Sequence, residues 1–153
     1  MKRKILVSSC LLGQKVRYNN GDAACYDPRF LKWLKEGRMI GICPEVYGGL
    51  PVPRPASQRQ GDKVVTSTGV DVTCEYEKGA QAALSLAKAE NVIFAILKQN
   101  SPSCGSSCIY DGTFTGTKKL GQGKTTELLR QNGIKVFGED QLDEVEREIG
   151  VNE

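Results

Sequence analysis

Six cysteines and no histidine stand in a chain of 153 residues. Without imidazole, any catalysis rests on thiols, carboxylates, hydroxyls and lysines, and His-based triads, His-ligated zinc and imidazole proton shuttles are excluded. Cys10, Cys43 and Cys104 each follow a short apolar run, whereas the close Cys-x-x-Cys pairs usual in structural zinc sites are absent. An iron-sulfur cluster usually takes four thiolates. Three would leave one iron without a protein ligand, able to bind a substrate atom as a Lewis acid. Cys108, one short loop beyond Cys104, is the candidate for a fourth ligand in a redox or sensing module, and a three-cysteine zinc site is the other alternative. Glu45 lies two residues past Cys43 and is the leading acid-base candidate. Ser101 and Ser103, just before Cys104, offer hydroxyls that could orient water or relay a proton.

These residues need elements that bring them together. Lys4 to Ser9, Met39 to Ile42, Val92 to Leu97 and Lys135 to Phe137 read as short buried strands. Between them, Asp27-Pro28 caps a helix with Phe30, Leu31 and Leu34 as its apolar face, and Thr73 caps a longer one with Tyr76, Ala80, Ala83, Leu84 and Ala87 at helical spacing. Gly123 to Asn132 and the stripe Leu142, Val145, Ile149 predict two more helices. Lys63 to Thr73 predicts a small inserted hairpin turning at Thr68-Gly69. The pattern predicts one domain over residues 1–153: a three-layer α/β/α fold with a mostly parallel, Rossmann-like sheet. In such a sheet ligands sit beyond the carboxyl ends of the strands, where all three cysteines would converge.

Composition agrees with that reading. The formal charge of +3 is spread along the chain and announces neither DNA nor a membrane surface. The basic Met1-Lys2-Arg3-Lys4 opening is followed by too few apolar residues for a signal peptide or a span, so the expected location is cytoplasmic, where thiols stay reduced and disulfides are disfavoured. Lys118 to Thr125 ends like a phosphate-binding P-loop, but lysine stands where the first glycine is needed, and the segment reads instead as a turn into a helix. Cys25, Cys74 and Cys108 read as small buried side chains.

Four segments, SSCLLGQKVRY, CPEVYGGLPVPRP, LKQNSPSCG and IYDGTFTGT, occur in this order, and over nearly its whole length the chain resembles the bacterial thiouracil desulfurases. The resemblance implies a 4Fe-4S cluster held by Cys10, Cys43 and Cys104, with one iron not bound by protein that captures the substrate sulfur. It implies a non-redox exchange of C=S for C=O, water supplying the oxygen, on thiouracil or on thiouridine nucleosides and nucleotides, with thiouridine of transfer RNA as a variant substrate. Arg17, Tyr18 and Arg54 are plausible contacts for a pyrimidine or a phosphate, and Gly13, Gly48, Gly49 and Gly105 positions of close backbone approach. Two departures from the family pattern bear on substrate choice: Asn19-Asn20 replace an acidic residue and glycine, and Ser57-Gln58 replace a glutamate.

Overall fold

The structure is a computed structural model and describes residues 3–152; the Met1-Lys2 start of the basic opening lies outside them. Four parallel strands form the central sheet: β1 (Ile5–Ser8), β2 (Met39–Ile42), β5 (Phe94–Leu97) and β8 (Lys135–Gly138), in the order β2-β1-β5-β8. Each matches an apolar run of the sequence, and β1 and β5 are buried at every position, as strands covered on both faces must be. Their side chains alternate between two cores. Ile5, Val7, Phe94 and Ile96 meet α1 (Pro28–Lys35) and α5 (Leu142–Asn152), while Leu6, Ala95 and Leu97 meet α3 (Thr73–Ala89) and α4 (Lys124–Gln131). The three-layer α/β/α arrangement is therefore present.

Several local expectations are corrected. Asp27 does cap α1, accepting from the Arg29 N–H at 2.9 Å, but the face turned inward carries Phe30 and Trp33, and Leu31 and Leu34 are exposed. A tryptophan one turn after Phe30 buries more surface than either leucine could, so it wins the inward face. Thr73 opens α3 without capping it. Its hydroxyl donates to Asp71 at 2.6 Å and accepts from the Val64 N–H at 2.9 Å, while Asp71 takes the Thr73 N–H at 2.9 Å. The hairpin pairs β3 (Ser57–Gln60) with β4 (Lys63–Thr66) around Gly61. The turn expected at Thr68-Gly69 is also present: Val65 bridges Asp71 antiparallel, and the Thr66 and Val72 N–H groups donate to the Val70 and Val64 carbonyls at 2.8 and 2.9 Å, so β4 is shared by two successive turns. A second hairpin, β6 (Cys108–Tyr110) with β7 (Lys118–Leu120), takes in the start of the P-loop-like segment. β7 is exposed at every position and so carries no hydrophobic signature.

Two backbone contacts fix the loops that follow the strands. After β2, the short helix α2 (Pro44–Tyr47) lies directly on α3, and the approach is possible because both partners present glycine. A Cβ on Gly48 would stand 1.9 Å from the Glu75 carbonyl oxygen, and one on Gly79 would stand 1.9 Å from that of Pro44. After β5, the loop carrying Cys104 lies against the start of α4. There the N–H groups of Lys124 and Thr125 donate to the Pro102 and Ser103 carbonyls at 2.8 and 2.9 Å, and the Thr126 hydroxyl donates to the Cys104 carbonyl at 2.9 Å. The amino end of α4, in the segment that mimics a P-loop, thus spends its donors on protein carbonyls.

Candidate active site

β1, β2 and β5 are neighbours in the sheet, and the chain leaves each of them at the same edge. Cys10 sits in the tight turn Ser9–Leu12 after β1, Cys43 directly after β2, and Cys104 in the loop after β5. All three line one cavity of about 360 Å³, together with Glu45, Ser101, Arg17, Tyr18 and Arg54. This is the convergence expected from strand direction.

Burial, reinforced by Cys43, pushes the Cys10 thiol up to about 11. Burial likewise raises Cys43 and, most strongly, Cys104, which is further raised by its two partner cysteines although the Ser8 hydroxyl bonds to it. As free thiols the three therefore keep their protons at neutral pH. Cys43 hinders ionisation of Cys10, both hinder that of Cys104, and Glu45 hinders that of Cys43; a bound cation would reverse this by displacing the protons. The donor set fits a thiophilic metal centre. Among the described residues no three Cys, Asp or Glu side chains are gathered round a point where a single ion would sit.

Glu45 follows from the corner at Cys43: Pro44 starts α2, and the carboxylate projects between α3 and the cavity with 16% of its side chain exposed. The Tyr76 hydroxyl donates to Oε1 at 2.5 Å, and Arg54 Nη2 lies 3.4 Å from the same oxygen. Oε2 accepts from the Ser101 hydroxyl at 3.4 Å. Ser101 in turn accepts the N–H groups of Ser103 and Cys104, both at 3.0 Å, which orients its own proton towards Glu45. Arg54 is buried and ties three segments together. Its guanidinium donates to the Val16 and Pro51 carbonyls at 3.1 Å, its backbone N–H donates to Tyr18, and its Nε has no partner among the described residues.

The structure does not bring Ser103 to the cavity. Its hydroxyl is fully buried behind the loop, 2.7 Å from that of Thr125 on α4. Cys108, Cys25 and Cys74 also lie away from the cavity, and none is buried as expected: Cys25 and Cys108 are half-buried and Cys74 is exposed. Of the four glycines singled out in the sequence, Gly48 packs on α3, a Cβ on Gly105 would meet the Cys108 and Ser101 carbonyls at 2.7 and 2.9 Å, and Gly13 and Gly49 occupy left-handed turns; none of the four lines the cavity. Arg17 stands 5.9 Å from the Tyr18 ring centroid, in cation-π range. Ser57 and Gln58, singled out in the sequence for substrate choice, line the cavity; sequence reasoning missed Lys98 and Tyr110, which also line it, and Tyr76, whose helical spacing marks it as core and hides what its hydroxyl does.

Comparison with known proteins agrees with this geometry. The family described as 2-thiouracil desulfurase matches residues 5–141. The uncharacterized protein YbbK of Bacillus subtilis (strain 168) is 42% identical over 151 residues, covering 92% of this chain and 99% of its own. The solved structure of the 4Fe-4S-dependent thiouracil desulfidase TudS superposes with a TM-score of 0.96 at 51% identity, covering 98% of this chain and 99% of its own. On the match of fold and nearly full-length sequence, the chain belongs to the 2-thiouracil desulfurase family.

Proposed function

We infer that this chain is an iron-sulfur-dependent desulfurase that replaces C=S by C=O in thiolated pyrimidines, thiouracil and thiouridine-type compounds, and releases sulfide. The observation that carries the reading is the meeting of three cysteines with the Glu45–Ser101 pair in one cavity. Cys10, Cys43 and Cys104 would hold a 4Fe-4S cluster with one iron free of protein ligands. When bound, that group supplies a Lewis acid for the thiocarbonyl sulfur. Three thiols lining one cavity supply three of the four thiolates that a cubane usually takes, whereas structural zinc usually has four protein ligands. Cys108 lies off the cavity, which removes support for a four-cysteine module.

The protein's own groups would handle water and protons. Glu45 Oε2, on the Ser101 side, takes a proton from the water that attacks the thiocarbonyl carbon, and Ser101 holds that water or passes the proton on. Arg17, Tyr18 and Tyr110 bound the space left for the planar ring. The test is anaerobic reconstitution with iron and sulfide, incubation with thiouracil, and assay of uracil and hydrosulfide, with Glu45→Ala alongside. Turnover by the wild type, and an iron-loaded but inactive Glu45→Ala, are expected. A loaded wild type that yields no uracil from thiouracil and no desulfurated product from thiouridine nucleotides would overturn the reading.

A further inference from the structure

Tyr76 is 1% exposed and packs with Val64, Val72 and Leu50, a small apolar cluster between α3 and the β3-β4 hairpin. A phenylalanine would fill that space equally well. The hydroxyl, however, leaves the cluster and donates to Glu45 Oε1 at 2.5 Å. It reaches that far because α2 and α3 touch through Gly48 and Gly79, with no side chain between their backbones. Arg54 attends the same oxygen at 3.4 Å, so Oε1 is occupied from the protein side and only Oε2 faces Ser101.

A glutamate on a one-turn helix has three side-chain torsions to fix, and general-base geometry tolerates little misplacement. We infer that Tyr76 is the positioning residue that pins one oxygen of Glu45 so that the other is presented to Ser101 and the reacting centre. The inference rests on the role of Glu45 proposed above. Tyr76 does not line the cavity, so it acts through Glu45 and not on the substrate. Burial, and then the adjacent carboxylate, hold its phenol well above the ordinary tyrosine range, so it stays a proton donor to Glu45 throughout neutral pH.

Tyr76→Phe keeps the ring and deletes the bond to Glu45, along with the hydrogen bond between the phenol and Ser57. With the loaded enzyme, kcat on thiouracil should fall roughly ten- to a hundredfold while KM stays within about twofold. Added to Glu45→Gln, the same substitution should cause no further loss, because the pathway through Glu45 is already cut. Fully additive losses would overturn the inference. A second readout needs no cofactor: in protein labelled with 13C at the tyrosine ring Cζ, the Tyr76 resonance, identified by its absence in Tyr76→Phe, should shift in Glu45→Gln and stay in place in Asp27→Ala. An unmoved resonance in Glu45→Gln would overturn the inference by itself. Failure of the wild type to desulfurate anything falls on the proposed activity alone, since the resonance still reports whether Tyr76 holds Glu45.

Discussion

The helical layer formed by α1 and α5 meets the sheet through large side chains, Phe30, Trp33, Leu142 and Val145, and its polar contacts are surface ion pairs such as Arg29 with Asp27 and Asp143. The layer formed by α3 and α4 meets it through Ala83, Leu84, Ala87 and Leu129. It reaches the loops beyond the sheet through glycine contacts and buried hydroxyls: Gly79 on α2, and Thr125 and Thr126 on the Cys104 loop. Large apolar side chains fill volume and tolerate small shifts, whereas backbone on backbone and hydroxyl on carbonyl leave little freedom of position. Both layers stabilise the sheet. The second also fixes where Glu45 and Cys104 stand.

Substitutions in the two layers should therefore fail differently. Phe30→Ala removes a fully buried ring and is expected to cost about 3–5 kcal/mol in denaturant unfolding, with kcat per folded molecule unchanged. A fall in kcat without loss of stability would erase the distinction. Thr125→Val is expected to cost about 1–3 kcal/mol, because the Ser103 hydroxyl is left buried without a partner. It should also speed loss of iron from the reconstituted protein, read by the decay of visible absorbance, whereas Phe30→Ala should not do so below its unfolding transition.

The smallest effect belongs to the surface of the first layer. Hydrogen bonds from the Arg29 side chain and then its backbone hold Asp27 below its ordinary value of 3.8. A depressed carboxylate stabilises the fold above its unfolded pKa, and that contribution is lost as pH falls through the folded pKa. Asp27→Ala should thus lower the thermal midpoint slightly at neutral pH, and the gap from the wild type should close as the pH is taken below 3.8. A gap independent of pH would mean that charge plays no part in the cap.

The sequence already exposed the frame of this molecule, because four apolar runs alternating with helical spacing leave few arrangements for a parallel sheet. Cys10, Cys43 and Cys104 could be placed at one edge because each follows such a run. Contacts between residues distant in sequence stayed hidden. Nothing local tells that Ser103 turns to Thr125, that the P-loop-like segment grips the Cys104 loop, or that the Tyr76 hydroxyl finds Glu45. The β6-β7 hairpin escaped for a different reason: Lys118, Lys119 and Leu120 are all exposed, so no buried face imposes alternation.

The positions of the three cysteines have a consequence for how the chain lives in solution. Residues 10, 43 and 104 leave three adjacent strands, so any group gripped by all of them works as a removable cross-link among segments far apart along the chain. An unfolded chain cannot grip it in the same way, so occupancy and foldedness rise and fall together by mass action. Conditions that strip the site would then shorten the lifetime of the protein as well as silence it.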